Sequence, residues 1–122
     1  MKTQSAKAKG RNLQKWVVNK LIETFEIHPE DIKSCSMGAG GEDVVMARAA
    51  REKFPFSVEC KNVERLNVWE AYDQASANCN GYEPLVIMKK NHKKPLVVLD
   101  AEHFIELIKG LDKPVSYTHL RA

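Results

Sequence analysis

Apolar residues recur at helical spacing near the start of the chain. They occupy positions 13, 16, 17, 18, 21, 22 and 25, and this spacing predicts an amphipathic helix from Leu13 to Phe25. At about 100° per residue, the centre of the apolar face lies near Gln14. We therefore expect this polar side chain to point into the protein, where an amide needs hydrogen-bond partners. Glu23 falls on the opposite, outer face.

Short strand-like runs separated by turns follow this helix. IKSCSM and EDVVM indicate two strands on either side of GAGG, which permits a tight turn, and ARAAREKF fits one or two helical turns before Pro55. The run PFSVECKN at 55–62 then alternates apolar and polar side chains, as a strand with two different faces does. The apolar face would hold Phe56, Val58 and Cys60, and the polar face Ser57, Glu59 and Lys61.

The second half of the chain repeats this alternation of helix and strand. ERLNVWEAYDQASANC has apolar residues at helical spacing, PLVIMKK and PLVVLD form a candidate hairpin around NHKK, and AEHFIELIKGL predicts a last helix ending near Gly110. The order of helix, three strands, helix, two strands and helix predicts an α/β fold with a mixed sheet flanked by helices. Trp16 and Trp69 are interpreted as core or interface residues.

Basic residues are concentrated in two segments, although the net charge of the 122 residues is only +3. Residues 1–20 contain six basic residues and no acid, KKNHKK at 89–94 contains four lysines, and the rest of the chain holds nine basic against 16 acidic residues. Such clusters on a small domain indicate a polyanion partner such as nucleic acid. A solvated tail and a solvated turn are equally compatible with them.

The apolar runs and the cysteines bear on the compartment of the protein. No apolar run approaches the ~18–20 residues that cross a membrane, and the N-terminal segment lacks the apolar stretch of a secretion signal. The three cysteines, Cys35, Cys60 and Cys79, contain no CxxC pair, which argues against a disulfide framework or zinc site. We expect a cytoplasmic protein without a membrane partner, in which Cys60 packs in the core.

The candidate chemistry centres on Glu59 and Lys61, which share one strand face about 7 Å apart. Asp43 lies near the start of the preceding strand and would sit beside Glu59 if the two strands pair. Two converging carboxylates repel each other, and Mg²⁺, which one or two carboxylates can hold, would relieve that repulsion. A neighbouring lysine can orient or deprotonate a water molecule, or offset charge on a phosphate. Glu42 adjoins Asp43 but should point the other way, into solvent.

Together, GGEDVV, PFSVECKN and the following helix with DQA resemble the PD-(D/E)xK nuclease superfamily. The likeness covers about residues 8–109, including KGRNLQKWV, and is strongest to small phage-type endonucleases similar to archaeal Holliday-junction resolvases. It implies a restriction-endonuclease-like core of αβββαββα order and hydrolysis of DNA phosphodiester bonds with Mg²⁺ or Mn²⁺. It also implies a phage-encoded protein acting in the cytoplasm of a bacterial host.

The resemblance assigns roles to individual residues. Asp43 and Glu59 would bind the metal together with the backbone carbonyl of Cys60, and Lys61 would act on the attacking water or the scissile phosphate. Gln74 would orient Lys61 or contact the phosphate. The family usually has a glutamate on the first helix, and here Gln14 stands at that position. A neutral amide could still hold a metal-bound water.

Partners and boundaries complete the prediction. DNA would be contacted by Lys7, Lys9, Arg11, Lys89, Lys90, Lys93 and Lys94. The relatives imply branched or flapped DNA as substrate and a homodimer as the working form. We predict a flexible basic arm at 1–10, one nuclease-like domain at 11–112, and an artefactual or disordered tail at 113–122. Two alternatives stay open: an inactive DNA-binding module on the same fold, and an interaction protein with incidental lysines.

Overall fold

The computed structural model describes residues 4–35 and 41–111, and it confirms the α/β class. Its helices are α1 (Gln4–Phe25), α2 (Arg48–Lys53), α3 (Val68–Asn78) and α4 (Ala101–Gly110), with a short 3-10 helix at Pro29–Asp31. Its strands are β1 (Ile32–Ser34), β2 (Val44–Met46), β3 (Phe56–Asn62), β4 (Glu83–Lys89) and β5 (Leu96–Val98). The predicted tail at 113–122 lies outside the described residues.

The strands form two sheets, where the sequence suggested one mixed sheet. β3, β4 and β5 form a mixed sheet in this order, with β3 parallel and β5 antiparallel to the central strand β4. β1 and β2 form a separate antiparallel pair. This pair meets the free edge of β3 through Asp43, whose N–H donates to the carbonyl of Val58 over 3.1 Å. β2 ends at Met46, and the chain enters α2 after one further residue.

α1 packs on one face of the larger sheet and runs antiparallel to β3. Near its start, the Lys9 carbonyl accepts a hydrogen bond from the Asn62 side chain at 2.9 Å. Just beyond its end, the Glu26 carbonyl accepts one from Lys53 at 3.0 Å. The buried stripe of α1 and the apolar face of β3 share one core cluster, which includes Leu13, Val17, Leu21, Phe56, Val58 and Cys60. The apolar face predicted for β3 is therefore confirmed.

α3 packs on the opposite face of the same sheet. Its buried residues Ala71 and Ala75 contact Val86 of β4. Alanine has a small side chain, so α3 lies close to the sheet, within reach of the polar side chains on this face of β3. Glu59 and Lys61 point to this α3 side, as the period-2 pattern predicts.

Two expectations about exposure and order differ from the structure. Residues 4–10, predicted as part of a flexible arm, form the first turns of α1, because QSAKAKG contains good helix formers and Asn62 binds the Lys9 carbonyl. Trp16 and Trp69 are 45% and 81% exposed, so neither is a core residue. At about 100° per residue, Trp16 lies beside the buried stripe of α1, whereas Trp69 lies on the side of α3 opposite its buried alanines.

The last helix exposes most of its apolar surface. None of its residues is buried, and its large apolar side chains are 40–74% exposed together with the residue that follows. We call this surface the α4 face; it comprises Phe104, Ile105, Leu107, Ile108 and Leu111. In the part of the chain that the structure describes, no helix combines the length and apolar character needed to cross a membrane.

Candidate active site

Glu59 and Lys61 meet the side of α3 that faces β3. The Lys61 ammonium donates a hydrogen bond of 2.8 Å to Gln74 Oε1, and its Nζ lies 3.5 Å from Glu59 Oε2. The strand places the two β3 side chains on one face, and α3 supplies the amide that fixes the lysine. The structure thus brings together the three residues that the sequence suggested on this face.

Asp43 joins this group from the free edge of β3. Its Oδ2 accepts a hydrogen bond of 2.7 Å from the Cys60 N–H, while its own N–H bonds the Val58 carbonyl. Asp43 therefore forms hydrogen bonds with the residues directly before and directly after Glu59 in β3. The N–H and C=O of one strand residue point to the same edge, so the Cys60 carbonyl lies on the Asp43 edge as well.

Glu59 is a buried carboxylate in a negative environment. Its exposed fraction is 3%, and burial, reinforced by the charge of Asp43, raises the pKa of Glu59 above the usual value, although Lys61 opposes this shift. Within the described part of the chain, its Oε1 makes no hydrogen bond. A buried charged oxygen without a partner is costly, so this position favours a positively charged ligand.

Asn78 belongs to the site although the sequence gave no reason to single it out. It follows Gln74 by four residues, so both side chains lie on one face of α3. The Asn78 side chain lies close enough to Glu59 to favour the charged form of that carboxylate and to lower its pKa. The i, i+4 spacing from Gln74 is the signal that could have identified it.

The donor set suits a hard divalent cation held by few protein ligands. Among the described residues, no cluster of three or more His, Cys, Asp or Glu side chains could hold a metal ion. Asp43 and Glu59 nevertheless provide two carboxylates at one edge, with the Cys60 carbonyl beside them. Mg²⁺ commonly uses one or two carboxylates and completes its shell with water and substrate phosphate. The residues present therefore fit Mg²⁺ or Mn²⁺, with most of the coordination shell left to water and substrate.

Gln14 is half-buried on α1, between the buried residues Leu13 and Val17. Lys9 lies beside Asn62, and Gln14 is five residues further along α1, which corresponds to about 7.5 Å along the helix axis. Gln14 is therefore roughly level with Cys60 along β3, but α1 covers the face opposite to Glu59. Its catalytic role therefore stays a prediction. Glu23 is exposed, as the helix projection indicated.

Glu42 is buried, which corrects the expectation that it faces solvent. Its carboxylate binds the Arg51 guanidinium through two hydrogen bonds of 2.6 and 2.8 Å, and both side chains are less than a tenth exposed. Burial alone would raise the pKa of Glu42, but hydrogen bonds from Arg51, Ser57 and Asn80 outweigh it and lower the pKa. Arg51 also stacks on the Tyr82 ring at 4.4 Å. This pair anchors the residue that precedes Asp43.

The two basic segments of the sequence meet at the same end of the sheet. Asn62, the last residue of β3, binds the Lys9 carbonyl and is the register partner of Lys89 in β4. The start of α1 and the β4–β5 turn therefore flank the end of β3 that carries Lys61. We call the basic residues of that turn the turn lysines: Lys89, Lys90, Lys93 and Lys94. On α1, Lys7 and Lys9 are half-buried and Arg11 is exposed.

Comparison with other proteins adds no relative to this description. No protein-family model, no curated protein and no solved structure matches the chain.

Proposed function

We propose that this protein is a Mg²⁺- or Mn²⁺-dependent endodeoxyribonuclease on a restriction-endonuclease-like fold. The observation that carries the proposal is the meeting of Asp43, Glu59 and Lys61 at the edge of β3, where one buried Glu59 oxygen has no hydrogen-bond partner among the described residues. Carboxylates that hold a cation beside a fixed ammonium suit hydrolysis of a phosphodiester. The PD-(D/E)xK resemblance of GGEDVV and PFSVECKN, which rests on the same three residues, also supports the proposal.

The metal would be held by Asp43, Glu59 and the Cys60 carbonyl. When bound, such an ion polarises a phosphate oxygen and activates water at neutral pH. Burial and, after it, the charge of Asp43 raise the pKa of Glu59, and a divalent cation at this position would stabilise the charged carboxylate against both effects. The proposal needs no further protein ligand, because water and substrate commonly complete the shell of Mg²⁺.

Lys61 and Gln74 provide the remaining chemistry from the chain itself. Lys61 is oriented by its 2.8 Å bond to Gln74 and by the nearby Glu59 carboxylate. An oriented ammonium can offset the charge that develops on a phosphate during attack. Gln74 acts through Lys61 and is therefore a positioning residue. Lys61 is the residue that would touch the substrate.

Binding of DNA would use the basic residues at the end of β3. The turn lysines and the start of α1 flank Lys61, so a backbone that contacts both would cross the carboxylate site. Such phosphate contacts position a substrate without reading its sequence. From the resemblance, branched or flapped DNA is the substrate that we propose. A homodimer would bury the α4 face, which is an exposed apolar surface.

The second candidate function is a DNA-binding module that does not cut. Gln14 favours it, because a neutral amide stands where the family usually has a third carboxylate. A site with fewer negative ligands holds a divalent cation less tightly. Both candidates predict salt-sensitive DNA binding, and they differ in whether product forms.

The deciding experiment incubates the purified protein with labelled four-way, flapped, single-stranded and duplex DNA. Each substrate is tested with Mg²⁺, Mn²⁺ or EDTA. We expect cleavage with either metal, none in EDTA, and none by Glu59→Gln, while Glu23→Gln on the outer face of α1 cuts like the wild type. Salt-sensitive binding without product under any metal condition would favour the binding module. Equal cleavage by Glu59→Gln and the wild type would refute the site.

A further inference from the structure

A groove of about 600 Å³ lies beside the candidate active site. Its charged lining consists of the four turn lysines and Glu64. The rest of its lining is apolar, and we call these residues the apolar floor: Val63, Leu66, Val68, Met88 and Leu96. The groove therefore combines a basic edge with an apolar surface, which a simple phosphate-binding patch does not need.

The groove begins where the candidate active site ends. Met88 is the register partner of Lys61, so both side chains lie on the α3 side of the sheet. Val63 follows Lys61 by two residues, or roughly 7 Å along an extended chain. A strand whose phosphate lies at Lys61 would reach this groove with its neighbouring nucleotide.

The charge of the groove selects an anionic occupant. Four lysines and one glutamate line the groove. The Lys89 ammonium donates to the Lys90 carbonyl at 3.1 Å, and Glu64 Oε2 accepts a 2.7 Å hydrogen bond from the Asn91 N–H in the turn. Glu64 thus holds the turn that presents the lysines. The remaining positive charge is complementary to the phosphates of a nucleic-acid strand.

The apolar floor indicates which form of nucleic acid the groove binds. Leu96 is 52% exposed and Met88 is half-buried, so both offer apolar surface to a ligand. The faces of bases in a duplex are covered by their neighbours, whereas an unpaired base exposes its face and can pack on apolar or aromatic side chains. The volume lies within the range of small-molecule sites, roughly 300–1,000 Å³, so one or two nucleosides fit.

We propose that this groove binds one or two unpaired nucleotides of the DNA strand next to the cleaved bond. Their bases pack over Leu96 and Met88, and their phosphates contact the turn lysines. The inference deepens the proposed function and depends on it only for the position of the cleaved bond. It supplies a physical reason for this protein to prefer flapped or branched DNA over continuous duplex.

The test measures binding in EDTA, so that cleavage plays no part. Fluorescence anisotropy compares a labelled single strand, the same strand with abasic sites at its centre, and a duplex of equal length. We expect the intact strand to bind about fivefold more tightly than the abasic strand, the lower end of what one packed base contributes, although the two carry the same charge. Leu96→Asn removes part of the apolar floor and should abolish that difference.

Val97→Asn is the matched control for Leu96→Asn. Val97 lies next to Leu96 on β5 and is 56% exposed, but its register partner Ile87 belongs to the core on the α1 side. This variant should therefore keep the preference for the intact strand. The double variant Lys93→Ala/Lys94→Ala should weaken both strands equally and reduce the log–log salt slope by about 1.4. Lys33→Ala, on the exposed surface of β1, should leave the slope unchanged.

The outcomes separate this inference from the proposed function. Equal affinity for intact and abasic strands, or equal loss of preference in Leu96→Asn and Val97→Asn, overturns the groove assignment, whether or not the protein cuts DNA. A preference for the intact strand that disappears only in Leu96→Asn supports the groove, even if no metal produces cleavage. In that case the proposed nuclease activity fails and the groove belongs to a binding module.

Discussion

Arg51→Met tests whether the buried pair with Glu42 stabilises the fold. The substitution removes two charge-assisted hydrogen bonds of 2.6 and 2.8 Å and two 3.3 Å bonds to the carbonyls of Met46 and Phe56. It leaves the Glu42 carboxylate buried without its cation. Methionine fills much of the arginine stem, so the change reports on charge more than on volume.

The expected loss follows from these contacts. Hydrogen bonds to charged groups contribute about 1.5–3 kcal/mol each, and breaking a buried ion pair from one side costs about 3–5 kcal/mol. With a urea m value of about 1.5 kcal/mol per M, the midpoint should fall by about 2–3 M. Urea unfolding followed by far-UV circular dichroism measures this directly. The double variant Glu42→Met/Arg51→Met leaves no buried charge and should recover much of the loss.

The pH dependence provides the sharper criterion. In the wild type, the lowered pKa of Glu42 stabilises the fold above the pKa of the unfolded chain, and this stability is lost as the pH falls through the folded pKa. In Arg51→Met, burial should raise the pKa of Glu42. Lowering the pH then protonates Glu42 and removes the cost of its buried charge in the folded state. The difference between the two proteins should narrow from neutral pH to about pH 4. A difference below about 1 kcal/mol at neutral pH, typical of a solvated pair, would refute the reasoning.

Three further predictions concern the site and the α4 face. Glu59→Gln removes a buried carboxylate whose pKa is raised by burial and by the charge of Asp43. At a pH above that pKa and in EDTA, the melting temperature of the variant should therefore exceed that of the wild type, and Mn²⁺ should raise only the wild-type melting temperature. A variant less stable than the wild type in EDTA would contradict this. Gln74→Leu removes the hydrogen-bond acceptor that orients Lys61, so the rate of single-turnover cleavage should fall about tenfold while the DNA affinity stays unchanged. An unchanged rate would show that Lys61 does not need this hydrogen bond. Ile105→Glu places a charge on the α4 face, where Ile105 is 62% exposed, and should convert a homodimer to a monomer, as measured by light scattering. A wild-type protein that is monomeric at every concentration would exclude this interface.

The parts of the site that lie on one strand could be predicted from the sequence. The period of two fixes Glu59 and Lys61 on one face, opposite Cys60, and the structure confirms this. Placing Asp43 beside Glu59 required an assumption about strand contact, and the hydrogen bond from Asp43 to Val58 provides that contact.

Features that depend on tertiary geometry could not be predicted in the same way. Glu42 was expected in solvent because alternation places it opposite Asp43, yet α2 brings Arg51 back across nine residues to bind it. No local pattern specifies that return. The helical start of α1 depends similarly on Asn62, which lies 53 positions from Lys9. The division of the strands into two sheets likewise has no local signal in the sequence.

The positions of the three cysteines make this protein suitable for site-directed spectroscopy without engineering. Burial and the charges of Asp43 and Glu59 raise the pKa of the Cys60 thiol, which keeps it protonated and unreactive toward maleimides, since these react with the thiolate. Cys35 and Cys79 are only half-buried. The Cys35 N–H binds the Asp43 carbonyl at 2.8 Å, and Cys79 directly follows Asn78. Paramagnetic or fluorescent labels on these two thiols would bracket the carboxylate pair, so a change in the distance between them would report occupation of the site.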